Sequence, residues 1–164
     1  HIFSCFETEI KYFPKLSIHY NPPGFDNNVS KYERNDDYAC DISFILTNLY
    51  SDNNEFPVEA SNINRYDVVN AVYQNRTKFD FHIYGPEFLK NLYPDCYKGF
   101  IKYDDCNKVF SNSKINLSIH PIIKELNKKN SKEKYFSERV PQILGCKGLL
   151  MTNSYFNNIL LLEN

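Results

Sequence analysis

The chain has 164 residues, which is enough for one domain with a buried core and no need of disulfide or metal staples. Hydrophobic residues make up 42% and charged residues 24%, as in ordinary globular proteins. The formal net charge of −1 excludes a global basic field, so we expect no nucleic-acid partner. No apolar run is long enough to predict a membrane span.

The composition carries two further signals. Asn, Lys, Ile and Tyr are abundant and Trp is absent, a bias typical of AT-rich genomes that makes a virus or a protist the expected source. The five cysteines are odd in number and lack the close spacing of a zinc knuckle or redox motif. We therefore expect reduced thiols in a cytoplasmic protein, or in the host cytoplasm for a virus, at Cys5, Cys40, Cys96, Cys106 and Cys146.

Residues 1–40 are the least regular part of the sequence. Alternating apolar and polar residues predict a strand over 16–20, and the polar stretch 27–37 predicts a loop. The short apolar run 42–46 that follows is typical of a strand buried on both faces of a sheet.

A helix is predicted from Arg65 to about Gln74, with Asn64 as its cap. The helical spacing places one apolar face at Tyr66, Val69, Val72 and Tyr73. The next predicted strand covers 79–84 and ends at Gly85 and Pro86.

The second half of the chain repeats the alternation of strands and helices. Its predicted elements are a short segment over 97–101, a helix from Asp104 to about Phe110, a strand over 114–119, a short helix over 121–126, a loop over 127–134, a helix from Ser137 to about Leu144 with Pro141 in its first turn, and a strand over 148–152. Such alternation predicts βαβ units, right-handed crossovers and a parallel sheet, which is an α/β fold.

Ligands of parallel sheets bind outside the carboxyl ends of the strands. The candidate ligand-binding residues are therefore those that directly follow each predicted strand: Thr47, Asn48, Gly85, Pro86, the segment 100–103, His120, Asn153 and Ser154. His82 lies inside a strand instead, and we interpret it as a core histidine with its hydrogen bonds satisfied.

Three ordered segments resemble a known family. They are 41–48 with 64–66, then 82–86 leading to 97–101, and finally 113–120 followed by 136–152. Together they resemble the C-terminal half of group 1 glycosyltransferases, especially the CgeB-like branch, over about residues 41–155.

The resemblance implies a GT-B fold, in which two Rossmann-like domains face each other across a cleft. Residues 41–164 would then form the C-terminal half, a Rossmann-like three-layer domain with a mainly parallel sheet that binds a nucleotide diphosphate sugar. Residues 1–40 would be a linker or extension from the N-terminal domain, which is expected to be a partner of this domain.

The resemblance also implies a phosphate-binding turn at Ser137, Glu138 and Arg139. A guanidinium at Arg139 can hold a diphosphate through a fork of donors, and Arg65 matches a basic residue that reaches the phosphates. The alternatives are that Arg139 pairs with a surface carboxylate such as Glu138, and that Arg65 is a solvated arginine at the start of a helix.

Gln142 stands where the family usually has a glutamate that bonds both ribose hydroxyls, and Lys134 stands at the upstream acidic position. Glutamine loses the charge-assisted strength of that contact, so donor affinity and catalytic competence are both expected to suffer.

The remaining expected donor contacts come from loops. The base would lie against 99–102, which includes Lys102, and stack on Phe100 or Tyr103; ordinary core packing is the alternative for both rings. The other donor contacts expected are Thr47 and Asn48, for which simple turn residues are the alternative, and His120.

The leading functional hypothesis is the donor-binding domain of a glycosyltransferase that needs no cofactor and no bound metal. The acceptor would be a glycan, a protein or a small molecule, and the general base would come from the N-terminal domain, so no catalytic residue is assigned in this chain. The alternative is a non-catalytic Rossmann-like interaction module, a degenerate glycosyltransferase half, which Gln142 and Lys134 favour. A response-regulator-like or flavodoxin-like domain would need an acidic pocket or a phosphate loop that the sequence lacks.

Overall fold

The computed structural model describes residues 30–47, 65–119 and 137–152, with Asp26 and Asn28 and the backbone of two short strands. These strands, β1 (Ile2–Ser4) and β2 (Ile18–Tyr20), pair in parallel. The predicted strand over 16–20 is thus confirmed in part, whereas β1 was not predicted. The predictions for 121–126 and 127–134 lie outside the described residues, as do those for Asn48, Asn64 and His120.

The main sheet has four parallel strands. They are β3 (Cys40–Ile45), β4 (Phe81–Tyr84), β5 (Ser113–Ser118) and β6 (Leu150–Thr152), in the spatial order β4-β3-β5-β6. All four were predicted, with ends that shift by one or two residues. Beyond β4, Tyr97 forms a parallel bridge with Ile83, which extends the sheet by one more short segment.

Four helices connect or flank these strands among the described residues. They are α1 (Arg65–Gln74), α2 (Phe88–Leu92), α3 (Cys106–Asn112) and α4 (Arg139–Gly145), with 3-10 turns at Asp36–Tyr38 and Tyr103–Asp105. The helices α1, α3 and α4 were predicted, and Pro141 lies in the first turn of α4 as expected. The five-residue α2 was not predicted. None of the described helices is long and apolar enough to cross a membrane.

One face of the sheet is apolar and is covered by α1 and α2. Alternate residues of each strand point to this face because the side-chain period of a strand is two residues. The cluster contains Phe44, Leu46, Phe81, Ile83, Leu117 and Ile119 from or beside the strands, with Val69 from α1 and Leu89 from α2. On α1, Val69, Val72 and Tyr73 pack here as predicted, but Tyr66 remains 37% exposed.

The opposite face of the sheet is partly polar and is covered by α3 and α4. Its apolar cluster is smaller and combines strand residues with helix residues: Ile45, Tyr84, Val109, Phe110, Ile143 and Cys146. Between them the buried hydroxyl of Ser43 donates to Oδ1 of Asn116 (2.9 Å), and Nδ2 of Asn116 donates to the carbonyl oxygen of Phe110 (3.1 Å). Helices on both faces of a parallel sheet give the three-layer Rossmann-like arrangement that the sequence predicted.

Two glycines allow close approach of the backbone around this sheet. A Cβ at Gly148 would lie 2.6 Å from the carbonyl oxygen of Phe110 and 2.7 Å from Nδ2 of Asn116. At Gly85, φ is 155° and a Cβ would lie 2.2 Å from the carbonyl oxygen of Leu46. Any larger residue at either position would have to push strands or helices apart.

Residues before β3 bond to side chains at the C-terminal end of α3. The backbone N–H of Glu33 donates to the hydroxyl of Ser111 (2.9 Å), and that of Asn35 donates to Oδ1 of Asn112 (3.0 Å). The side chain of Tyr38 packs against the partly polar face. The predicted division at residue 40 between an extension and the domain stays a prediction.

The described cysteines carry free thiols, as predicted from the sequence. Burial raises the pKa of Cys40 to about 11, and burial also raises the pKa values of Cys96 and Cys146. Protonated thiols of this kind behave as small apolar side chains rather than as nucleophiles. Cys5 lies outside the described residues.

Candidate functional site

The carboxyl edge of the sheet has a topological switch point between β3 and β5. From β3 the chain passes to β4 on one side through α1, which covers the apolar face. From β5 it passes to β6 on the other side through α4, which covers the partly polar face. Because the two connections leave on opposite faces, a crevice is expected between the carboxyl ends of β3 and β5, and this is where ligands of open α/β sheets bind.

Arg65 lies on the α1 side of this switch point. It is the first residue of α1, and its Nε donates to the carbonyl oxygen of Ile119, directly after β5 (2.8 Å). The side chain is half-buried. The alternative of a merely solvated arginine is therefore wrong, because the guanidinium is anchored to the end of the neighbouring strand. Thr47 follows β3 at the same edge and is exposed.

Ser137 and Glu138 lead into α4 on the other side of the switch point. The backbone N–H of Arg139 donates to Oγ of Ser137 (3.3 Å), and that of Val140 donates to the carbonyl oxygen of Ser137 (3.0 Å). Pro141 has no N–H to offer. The start of α4 therefore uses much of its own hydrogen-bonding capacity internally, and a phosphate bound here would depend more on side chains than the sequence analysis expected.

Gln142 joins the first turns of α4 to the turn that precedes α3. Its side chain is buried, with 7% of its surface exposed, and its Nε2 donates to the hydroxyl of Tyr103. Tyr103 itself remains 57% exposed. The expected contact of residue 142 with a ribose stays a prediction, but its amide group already has a protein partner that sequence spacing could not reveal.

Charges at the start of α4 act on Tyr103 and on Cys106, the first residue of α3. Burial, followed by the nearby carboxylate of Glu138, raises the pKa of Tyr103. Burial raises the pKa of Cys106 to about 11, and the positive charge of Arg139 opposes that shift. The start of α4 thus lies beside the turn at Tyr103–Asp105 and the start of α3, as the hydrogen bond between Gln142 and Tyr103 also shows.

Phe100 and Lys102 lie on the loop between the short segment at Tyr97 and the turn at 103–105. The N–H of Gly85, directly after β4, donates to the carbonyl oxygen of Gly99 (3.0 Å), so this loop begins at the carboxyl edge of the sheet. Phe100 is 74% exposed and Lys102 is exposed. Ordinary core packing, the alternative considered for Phe100 and Tyr103, is wrong for both.

The predicted site residues thus fall into two groups at one sheet edge. On the α4 side the structure brings together Ser137, Glu138, Arg139 and Gln142 with the loop that carries Lys102 and Tyr103. On the α1 side it places Arg65 beside Ile119. Asn48 and His120, which were also predicted to contact the donor, lie outside the described residues.

His82 is a core histidine, as predicted. It is 7% exposed; its Nε2 lies 3.2 Å from Oδ1 of Asp80, and its Nδ1 lies 3.4 Å from the hydroxyl of Tyr84. Burial lowers its pKa. Within the described part of the chain, no three His, Cys, Asp or Glu side chains come together as a metal site would require.

Comparison with known proteins gives one result at the level of the family. The family model described as glycosyl transferase-like matches residues 65–163, which is more than half of the chain and includes the helices α1 and α4 and the strands β4, β5 and β6. Neither the curated proteins nor the solved structures gave a match. From the matched residues, the chain belongs to the glycosyl transferase-like family.

Proposed function

We propose that this domain is the C-terminal, donor-binding half of a GT-B glycosyltransferase of the CgeB-like type. Its ligand is a nucleotide diphosphate sugar, and the binding position is the carboxyl edge of the sheet between β3 and β5. The observation that carries the proposal is the presence of an arginine on each side of that switch point, within the region that matches the family, at Arg65 and Arg139.

A diphosphate is recognised by fixed positive charge. Arginine suits this task because its planar guanidinium carries several donors and stays charged at all physiological pH values. Arg65 is the first residue of α1 and Arg139 the first of α4, so both start helices that leave the same edge of the sheet on opposite faces. The contact of Arg65 with Ile119 occupies its Nε and pre-orients the guanidinium at that edge.

In the proposed reaction, the sugar passes from the nucleotide diphosphate to an acceptor hydroxyl. Cleavage of the glycosidic bond leaves negative charge on the diphosphate, and the two guanidinium groups stabilise that leaving group. The acceptor and the general base belong to the N-terminal domain in this proposal. The 164-residue chain therefore binds the donor without turning it over.

Titration calorimetry with UDP and GDP tests the proposal. We expect one of the two nucleotides to bind the chain, and we expect Arg139→Ala and Arg65→Ala each to weaken that binding roughly tenfold to a hundredfold, the effect of losing a charge-assisted hydrogen bond of about 1.5–3 kcal/mol.

Arg34→Ala is the matched control for both arginine variants. Arg34 is exposed and pairs with Asp36 (3.2 Å). Its neighbour Asn35 bonds to Asn112 at the C-terminal end of α3, which precedes β5 and so lies at the opposite edge of the sheet from the switch point. Its removal should leave nucleotide affinity unchanged. Absence of binding by the unmodified chain, or equal losses for all three variants, would contradict the proposed site.

One observation favours a second candidate, the non-catalytic interaction module. Gln142 is buried against Tyr103 instead of being free for a ligand, and an amide replaces the carboxylate that the family resemblance implies. Under this alternative, the protein that includes the N-terminal domain would bind a partner stably, yet show neither nucleotide binding nor sugar-nucleotide turnover.

A further inference from the structure

The segment that leads into β3 is bound to α3 through its backbone. In this segment, residues 32–38, the N–H of Glu33 donates to Oγ of Ser111 (2.9 Å). The side-chain amide of Asn112 accepts from the N–H of Asn35 (3.0 Å) and donates to the carbonyl oxygen of Glu33 (2.7 Å). Asn112 thus pairs with this strap, as we call the segment, in the way that the backbone of a neighbouring strand would. These contacts do not depend on which side chains the strap carries.

The strap is also connected to the C-terminal end of α4. The hydroxyl of Ser111, which accepts from the strap, donates to the carbonyl oxygen of Cys146, the C-terminal cap of α4 (3.4 Å). One residue later, Nζ of Lys147 lies 5.8 Å from the centre of the Tyr32 ring, within the range of a cation–π interaction. The strap and the C-terminal ends of α3 and α4 therefore form one connected group at the amino edge of the sheet, where the strands begin.

The helix α4 links this group to the candidate donor site. Its seven residues form a rod about 10 Å long, with Arg139 as the first residue and Cys146 directly after the last. The hydrogen bonds inside a helix keep it rigid, so a displacement of Cys146 also displaces Arg139. Contacts at the amino edge of the sheet therefore influence where the guanidinium lies at the carboxyl edge.

We propose that the strap is part of the donor-binding domain and positions α4, so that docking of the strap on α3 strengthens nucleotide binding at the opposite edge of the sheet. The inference rests on the proposed function, because it assigns a control to the same site. It places the start of the domain before residue 32, whereas the family resemblance implied a linker or extension up to residue 40. A domain or partner that pulls the strap away from α3 would thereby weaken the donor site.

The proposed coupling works in both directions. If docking of the strap raises the affinity for a nucleotide, the nucleotide must favour docking by the same factor. The N–H groups of Glu33 and Asn35 donate to side chains of α3, so the exchange of their hydrogens with solvent reports whether the strap is docked. A strap with a purely structural role would exchange at the same rate with and without nucleotide.

Hydrogen exchange of the 164-residue chain, measured with and without UDP or GDP, tests this coupling. We expect the nucleotide that binds to slow exchange at Glu33 and Asn35 roughly twofold to thirtyfold, the range of couplings carried through packed elements. Asn112→Ala removes two hydrogen bonds to the strap. It should accelerate exchange at both positions and, in titration calorimetry, weaken nucleotide binding by a similar factor.

Asn75→Ala is the matched control for Asn112→Ala. Nδ2 of Asn75 donates to the carbonyl oxygen of Ala71 (2.9 Å), four residues earlier, just as Nδ2 of Asn112 donates to that of Lys108 (2.6 Å). Both variants thus remove an asparagine at the end of a helix, but only one of them removes contacts to the strap. Asn75→Ala should leave nucleotide affinity and exchange in the strap unchanged.

A milder variant guards against loss of the fold. Ser111→Ala removes the hydroxyl between Glu33 and Cys146 but keeps the contacts of Asn112, so it should weaken nucleotide binding less than Asn112→Ala. Arg34→Ala lies within the strap yet removes only an exposed side chain, and it should leave the strap docked. Thermal unfolding of each variant verifies that the fold is intact.

The outcomes distinguish this inference from the proposed function. If the chain binds a nucleotide and Arg139→Ala weakens that binding, while Asn112→Ala does not and exchange in the strap ignores the nucleotide, the donor site stands and the inference is wrong. If the chain binds neither nucleotide, the proposed function fails, together with the effect of the strap on affinity.

Exchange without nucleotide then still decides whether the strap positions α4. The N–H of Cys146 donates to the carbonyl oxygen of Gln142 (3.0 Å) and that of Gly148 to Ile143 (2.9 Å), so both report on the end of α4. Asn112→Ala should accelerate their exchange as well. Unchanged rates at these two positions would overturn the connection between the strap and α4, whatever the ligand.

Discussion

The two faces of the four-stranded sheet are stabilised in different ways. Toward α1 and α2, the strands present large apolar side chains such as Phe44 and Ile83, both nearly inaccessible to solvent. Toward α3 and α4, the same strands bury Ser43, His82 and Asn116, which are satisfied by hydrogen bonds. Burial of apolar surface has no preferred direction, whereas a buried polar group needs its partner at one place.

This difference has a consequence for the candidate site. The helix α4, which carries Arg139 and Gln142, packs on the polar face, and the chain leaving it passes Asn116 at Gly148, where a single added methyl group would collide. The position of α4 is therefore specified by directional contacts. Substitutions on the apolar face should reduce stability without moving the site, whereas those on the polar face should affect both.

The largest expected effect comes from the apolar face. Phe44→Ala removes a ring that is 1% exposed and should lower the free energy of unfolding by about 3–5 kcal/mol, the transfer and cavity terms together. Urea unfolding measures this loss. If the proposed donor site is correct, nucleotide affinity measured below the unfolding transition should stay near that of the unmodified chain.

The control for this prediction is Phe100→Ala, the same substitution at a ring that is 74% exposed. Its effect on stability should stay within about 0.5 kcal/mol. A comparable loss for both variants would mean that burial does not govern the contribution of these rings.

A smaller loss of stability is expected on the polar face, and a second substitution should recover part of it. Asn116→Leu leaves the hydroxyl of Ser43 and the carbonyl oxygen of Phe110 without their buried partner, which should cost about 1–3 kcal/mol of stability. Adding Ser43→Ala removes one of the orphaned groups and should recover part of the loss. Urea unfolding of the four proteins in this cycle gives the coupling energy, for which we expect about 0.5–3 kcal/mol.

An additive result would contradict this description of the polar face. If Ser43→Ala and Asn116→Leu destabilise the chain independently, the hydrogen bond between their side chains contributes no measurable stability, and the two faces do not differ in kind.

Most of the fold was predictable because its signals are local. The run 42–46 and the helical spacing over α1 follow from the periods of strands and helices, and both elements are found. The helix α2 was missed because it has only five residues, of which Leu89 alone is buried. Cys40 and Asp41 extend β3 beyond its apolar run, because Cys40 pairs with Ser113 of β5, a partner that no local pattern reveals.

The candidate site was predictable to a smaller extent. The topology rule selected residues that follow the strands, such as Thr47 and Gly85, because it depends only on the alternation of elements, whereas Arg65 and Arg139 were singled out by the family resemblance. The contacts there depend on residues distant in sequence: Arg65 with Ile119, and Gln142 with Tyr103. The sequence also could not predict whether Phe100 is exposed, because an aromatic residue in a loop can face either the core or the solvent.

At the C-terminal end of α4, one substitution is expected to change the free energy of unfolding by about 1 kcal/mol relative to another. The N–H of Lys147 donates to the carbonyl oxygen of Leu144 and that of Gly148 to Ile143, a Schellman motif in which Lys147 has a φ of 61°. Because this left-handed conformation strains any residue with a Cβ, Lys147→Gly should be more stable than Lys147→Ala by about 1 kcal/mol. Thermal unfolding compares the two.

Both variants lack the Lys147 ammonium, whose Nζ lies 5.8 Å from the centre of the Tyr32 ring, so the difference between them isolates the backbone. Equal stability would show that residue 147 does not need the left-handed region.

The smallest expected effect is a pH dependence of stability that arises on the polar face, from His82. His82 belongs to the polar face, and burial together with the positive charge of Lys98 lowers its pKa below 6.5, while Asp80 opposes that shift. As the pH falls through 6.5, the unfolded chain takes up a proton at this position before the folded chain does. The stability associated with neutral His82 is therefore present above pH 6.5 and is lost as the pH falls through the folded-state value.

Urea unfolding at pH 7.5 and at pH 5 measures this contribution when the chain is compared with His82→Gln, which cannot titrate at that position. The other histidines contribute equally to both proteins, so the difference between them should fall on acidification. Asp80→Asn should deepen the fall, because the carboxylate at 3.2 Å is the group that favours protonated His82. If the chain gains stability relative to His82→Gln at pH 5, then the ion pair with Asp80 outweighs burial, and the polar face tolerates a charge that its packing should exclude.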